Sequence, residues 1–177
     1  MTDTKTPADN GGRASGRYRH ITHVMLLLQR SDGRVLTVRH RMSSTHSPGL
    51  LTVVGGHLEE GEFAQQAALR ELVAGTGAQV APADAEFCQL VHYLDRAGER
   101  SMGVAFTARR WQGEPRNTEP DKHTGLVWVQ PGNAPSDCHP YTRTVLANFA
   151  SGTTLYEEIT APDEAVAAPA TERGGAA

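Results

Sequence analysis

The apolar positions of this chain change period several times, and each change predicts a new element. Residues 20–30, HITHVMLLLQR, contain the apolar run VMLLL and read as a strand. A turn at Ser31, Asp32 and Gly33 follows, and RVLTVRHR (34–41) alternates apolar and polar residues to complete a hairpin. MSSTHSPG is a loop, and LLTVVGG (50–56) is a short buried strand ending on two glycines. From 63 to 73 the period becomes helical, with Ala64, Ala67, Ala68 and Leu72 on one face. The following AGTG predicts early termination, since a glycine weakens a helix by about 1 kcal/mol relative to alanine. Strands are expected at 86–95 and 99–111, joined by Arg96, Ala97 and Gly98, and at 125–131. A last helix covers 140–152, with Pro140 suited to its first position. This order predicts an α+β fold, an α/β/α sandwich with a mixed β-sheet between helices, rather than a regular parallel series.

The flanks break the pattern. Residues 1–17 are polar and predict a disordered leader without the apolar core of a signal peptide, and residues 159–177, rich in Ala, Pro and Gly, predict a disordered tail. The folded domain is therefore expected at 18–158. A net charge of -3 offers no basic stripe for nucleic acid. The run VMLLL is too short to span a bilayer, so a cytoplasmic location is expected. The two cysteines, Cys88 and Cys138, lack metal-type spacing and fit buried thiols in a reducing compartment. The basic patch VRHRM (38–42) reads as a solvated strand end, with attraction of a phosphorylated ligand as the alternative.

The chemistry concentrates in GGHLEEGEFAQQAALRELVAGTGA, residues 55–78. This stretch resembles the signature of the Nudix hydrolases: Gly, five residues, Glu, seven residues, Arg-Glu, an aliphatic, any residue, Glu-Glu, any residue, Gly, an aliphatic. Gly56, Glu62, Arg70, Glu71, Leu72 and Gly77 occupy their slots, Ala78 fills the last one weakly, and Ala74 and Gly75 replace the Glu-Glu pair. The later stretches FTARRWQGEPRNTEPDKHTGLVWVQP and PYTRTVLANFASG look like the second half of a bacterial Nudix group, so the resemblance covers about 20–155. Each slot has a physical reading. Gly55 and Gly56 suit a sharp backbone turn close to a phosphate, and the helix start after the loop offers free N–H groups to an anion.

The resemblance implies an MutT-like hydrolase cleaving the phosphoanhydride of a nucleoside diphosphate linked to another moiety. It also implies roles for single residues: Glu71 as the carboxylate binding Mg2+ or Mn2+, the Gly55 carbonyl as a further ligand, and Glu62 paired with Arg70 to hold the loop against the helix. A helix sets i, i+3 and i+4 on one face, so carboxylates at 71, 74 and 75 would make a three-oxyanion claw. Here one remains. Metal electrostatics on a developing phosphate charge are worth several kcal/mol. Losing ~4 kcal/mol of that slows a reaction about a thousandfold. The expectation is therefore a hydrolase with a weakened or lost cation site. The alternatives are a non-hydrolytic ligand-binding or regulatory protein and a scaffold recruited to other chemistry.

Outside the signature, Glu119 or Asp121 in the loop before the last strand would serve as a substitute ligand, or they are solvated charges. His57 touches a phosphate oxygen or is an exposed loop residue, and Trp111 stacks on a planar ligand or belongs to the core. His20 and His23 would point to opposite faces of a strand. The implied partner is a small phosphorylated molecule, with neither nucleic acid nor membrane, and dimers are common in the family.

Overall fold

Val24, Met25, Leu26, Leu27 and Leu28 are each at most 4% exposed. A strand reaches that state when both faces of its sheet are covered. These residues form most of β1 (Ile21–Leu28), which is followed by β2 (Val35–His40), β3 (Leu51–His57), α1 (Ala64–Thr76), β4 (Glu86–Leu94), β5 (Arg100–Ala108), β6 (His123–Val129), α2 (Pro140–Ser151) and β7 (Tyr156–Thr160). The computed structural model describes residues 19–95 and 97–161. The expected leader, 1–17, and the expected tail from 162 onward lie outside the described residues.

The strands form one mixed sheet in the order β6-β2-β3-β1-β5-β4-β7. β1 runs parallel to β5, and β4 parallel to β7; the other neighbours are antiparallel. Period-two alternation along β1 sorts the core into two layers. Val24, Leu26 and Leu28 pack with Ala67, Ala68 and Leu72 of α1, while Met25 and Leu27 pack with Val145 and Leu146 of α2. Each Val, Leu or Met side chain among these contributes about 1.5–3 kcal/mol when fully buried. The sheet between two helix layers is the expected sandwich.

Three expectations are corrected. β5 stops at Ala108, which leaves Trp111 beyond the strand. α1 continues to Thr76 instead of ending near 73, and closes on Gly77 in the left-handed conformation (φ 70°). β7 was not expected at all, and it carries the fold to Thr160, two residues past the anticipated boundary. Its sequence, YEEIT, is a polar edge strand whose partner, β4, is distant in the chain.

Candidate active site

The site is organised by α1 lying along β3. Glu71, in the third turn of α1, extends its carboxylate onto the backbone of Gly56 in β3. A β-carbon on Gly56 would sit 2.3 Å from the Glu71 Cδ and 2.4 and 2.6 Å from its oxygens. Arg70, next to Glu71, is held by four acceptor atoms on three residues. Its Nε donates to Glu62 Oε2 at 3.0 Å, its Nη2 to Glu62 Oε1 at 2.7 Å and to the His57 carbonyl at 3.1 Å, and its Nη1 to Glu71 Oε1 at 2.5 Å. Glu62 also accepts from the Glu59 N–H at 2.8 Å, closing the loop before the helix. The Arg70 hydrogen bond holds the Glu62 carboxyl below its ordinary range, and Glu62 in turn raises the Arg70 guanidinium above its own. Four expected residues, Gly56, Glu62, Arg70 and Glu71, thus come together.

The two glycines serve close packing rather than a turn. Both lie inside β3, and neither is among the positive-φ glycines. A β-carbon on Gly55 would stand 2.1 Å from the Val24 carbonyl oxygen of β1. Gly55 therefore lets two strands approach, and Gly56 leaves room for a carboxylate.

The other end of α1 is closed by a distant loop. The final carbonyls of a helix lack partners within it. Here Thr118 Oγ1 donates to the Ala74 carbonyl at 2.5 Å, the Thr118 N–H to Gly75 at 3.3 Å, and the Arg116 N–H to Thr76 at 2.9 Å. Gly77 N–H completes the set on Val73 at 2.9 Å. This explains why Ala74, Gly75 and Thr76 stay helical. Asn117 fixes the same loop, donating to the His123 carbonyl at 2.9 Å and accepting from the Glu119 N–H at 3.1 Å. Glu119 is thereby carried over Gly75: its Oε2 lies 3.6 Å from where a Gly75 β-carbon would be. A loop carboxylate stands beside the helix position that lacks one, and it is Glu119, whereas Asp121 is exposed. Lys122 donates to Glu119 Oε1 one turn further on.

A family model for the NUDIX domain matches residues 19–149. The chain belongs to the Nudix family. Among solved structures it is similar to a MutT NUDIX hydrolase from Burkholderia pseudomallei (25% identity, TM-score 0.66), with 74% of this chain and 98% of that chain covered. It is also similar to the E. coli ORF135 protein (24%, TM-score 0.62; 75% and 90% covered) and to a NUDIX hydrolase from Nitrosomonas europaea (18%, TM-score 0.64; 77% and 92% covered). A comparison with curated proteins gives no match.

Nudix proteins generally use divalent cations, and the donors present here do not fit such a cluster. Glu71 Oε1 is taken by Arg70 at 2.5 Å, and the Glu119 carboxylate is paired with the Lys122 ammonium. Among the described residues no three His, Cys, Asp or Glu side chains converge as metal donors.

The remaining candidates lie apart from this Nudix group. Alternation along β3 turns the His57 ring away from the α1 face, and it rests 4.7 Å from the His23 ring. Only the His57 carbonyl joins Arg70. Trp111 stacks on Trp128 at 6.1 Å, at the edge of the α1-side core, with Arg30 over the Trp128 ring. Arg39 of the basic patch is bound to Asp137 at 2.8 Å, and Arg41 to the Pro120 carbonyl at 2.6 Å. Burial pushes the Cys88 thiol up to about 12 and the Cys138 thiol up to about 11, so neither is an activated nucleophile. A cleft of about 730 Å3, lined in part by Arg109, Asn133, Asn148 and Phe149, lies against α2 and includes none of the Glu71 group.

Sequence reasoning missed Lys122, His123 and the capping role of Thr118. His123 is 8% exposed, stands 4.9 Å from the His40 ring, and its Nδ1 has no hydrogen-bond partner. A usable signal was present in TEPDK, where a lysine follows a glutamate by three residues beside a threonine and an asparagine suited to capping.

Proposed function

We propose that this Nudix protein accepts a nucleoside diphosphate linked to another moiety, and that it hydrolyses the phosphoanhydride much more slowly than a full carboxylate set would allow. The observation that supports this reading is the fit of Glu71 onto Gly56, braced by Arg70 and Glu62. That frame keeps Gly56, Glu62, Arg70 and Glu71 of the signature in contact with one another. The free N–H groups at the start of α1 add a positive dipole end for phosphate oxygens. The reading is tested by incubating ADP-ribose with wild type and Glu71→Gln, with Mg2+, with Mn2+ and with chelator. Slow product formation that falls at least tenfold in Glu71→Gln is the expected result. Equal product in both proteins would overturn the assignment of Glu71.

One observation favours a second reading, ligand binding without turnover: both carboxylates near the helix are already matched by protein cations, Glu71 by Arg70 and Glu119 by Lys122. Thermal stabilisation by ADP-ribose with no product under any condition would select it.

A further inference from the structure

The disagreement between the family's metal chemistry and the donors of this chain has a specific agent. Lys122 is carried by the loop that caps α1, and its ammonium binds Glu119 Oε1. The other oxygen of Glu119 reaches the Gly75 position, one helical turn beyond Glu71 on the same face of α1. A loop carboxylate with its own tethered cation therefore stands one helical turn from Glu71. The arrangement depends on residue 75 being small. A glutamate at 75 would bring its own carboxylate against Glu119.

We propose that the Lys122 ammonium is a built-in counter-ion that stands in for a divalent cation at the Glu71–Glu119 pair and presents positive charge to a phosphate group of the ligand. The second half of this statement rests on the proposed function; the first does not. A Lys122 side chain that is 67% exposed forms an individually weak pair. Tethering offsets that weakness, since a group three residues from its partner is present at high effective concentration whatever the solution contains. A dissolved cation must displace it before it can bind both carboxylates.

The test uses Mn2+ alone, followed by electron paramagnetic resonance or calorimetry, on the full chain. Lys122→Gln is expected to bind Mn2+ at least fivefold more tightly than wild type, Lys122→Arg to behave as wild type, and the gain to vanish in Lys122→Gln/Glu71→Gln. Equal Mn2+ affinity in wild type and Lys122→Gln, whether tight or undetectable, would overturn the proposal. The exposure of Lys122 makes misfolding of the variant a minor concern, and circular dichroism checks it. In a second arm, inorganic pyrophosphate with chelator raises the melting temperature of wild type and raises that of Lys122→Gln less. An Mn2+ gain without any pyrophosphate effect on wild type would support the counter-ion, overturn its ligand role and count against the proposed function. A pyrophosphate shift of equal size in both proteins would overturn the ligand role alone.

Discussion

The two ends of α1 solve different problems with the same helix. At Glu71 the order comes from side chains: a guanidinium clamps two carboxylates and a carbonyl, and one carboxylate lies on a bare glycine. At 74–77 the helix contributes no acidic side chain, and order comes from main-chain carbonyls received by Arg116 and Thr118. The first end keeps Glu62, Arg70 and Glu71 of the signature in one bonded frame; the second is closed by a docked loop that carries Glu119 and Lys122. Scaffold and electrostatics, which a signature motif seems to join, are therefore separable within ten residues.

The largest perturbation separates strand packing from site packing. Gly55→Ala drives a methyl into the Val24 carbonyl of β1, which is backbone and cannot yield cheaply. The expected cost is about 3 kcal/mol or more in chemical denaturation. Gly56→Ala meets only the movable end of Glu71, so it should cost roughly half as much while displacing that carboxylate. Equal losses in the two variants would show that Glu71 is held as rigidly as the strand.

The two ends also separate on the pH axis. His40 of β2 shares the α1 face with His123, accepts or donates a hydrogen bond at Thr52 Oγ1 (2.9 Å), and is lowered from 6.5 to about 4 by burial and then by the charges of His123, His139 and His46. Its folded value lies below its unfolded one, so unfolded chains take up the proton first as pH falls. Stability is then full above about pH 6.5 and declines toward about pH 4. The carboxyl of Glu62, held below its ordinary 4.5 by Arg70, gives stability that is lost only at lower pH. Melting temperature against pH should fall in two phases, and His40→Asn should make the first shallower without removing it, since burial also lowers His23, His123 and His139. A single phase near pH 4 in wild type would contradict the burial of His40.

The smallest effects probe the capped end. Thr118→Val removes the donor to Ala74 and should cost about 1 kcal/mol. Gly75→Ala places its β-carbon 3.6 Å from Glu119 Oε2 and 3.9 Å from Val54 Cγ1, ordinary contacts, and should stabilise by up to about 1 kcal/mol through helix propensity. Destabilisation by Gly75→Ala would mean that Glu119 is seated more tightly than its contacts indicate. Both are read from urea midpoints.

Local periodicity made most of the fold legible. The alternation in 34–41 and the helical spacing of Ala64, Ala67, Ala68 and Leu72 are properties of adjacent residues, and each became the element it predicted. The first half of the site was legible for the same reason, because Glu62, Arg70 and Glu71 interact across one loop and two helical turns. What escaped depends on distant chain. Thr118 caps a helix 44 residues earlier in the sequence, and β7 pairs with β4, a strand separated from it by β5, β6 and α2. The glycine pair was visible, but its reason was not: the Val24 carbonyl that demands Gly55 lies on another strand.

The cap built by Thr118 and Arg116 has a consequence for how this sequence tolerates change. Its bonds end on main-chain oxygens, which every residue type supplies. Ala74, whose side chain faces solvent, is therefore a position where substitutions can accumulate while the seam stays shut. Thr118 enjoys no such freedom, since its hydroxyl is the one side-chain donor among the three loop groups that make the seam. The acidic slot at 74 could thus be emptied without the fold registering the loss, and could be refilled just as quietly.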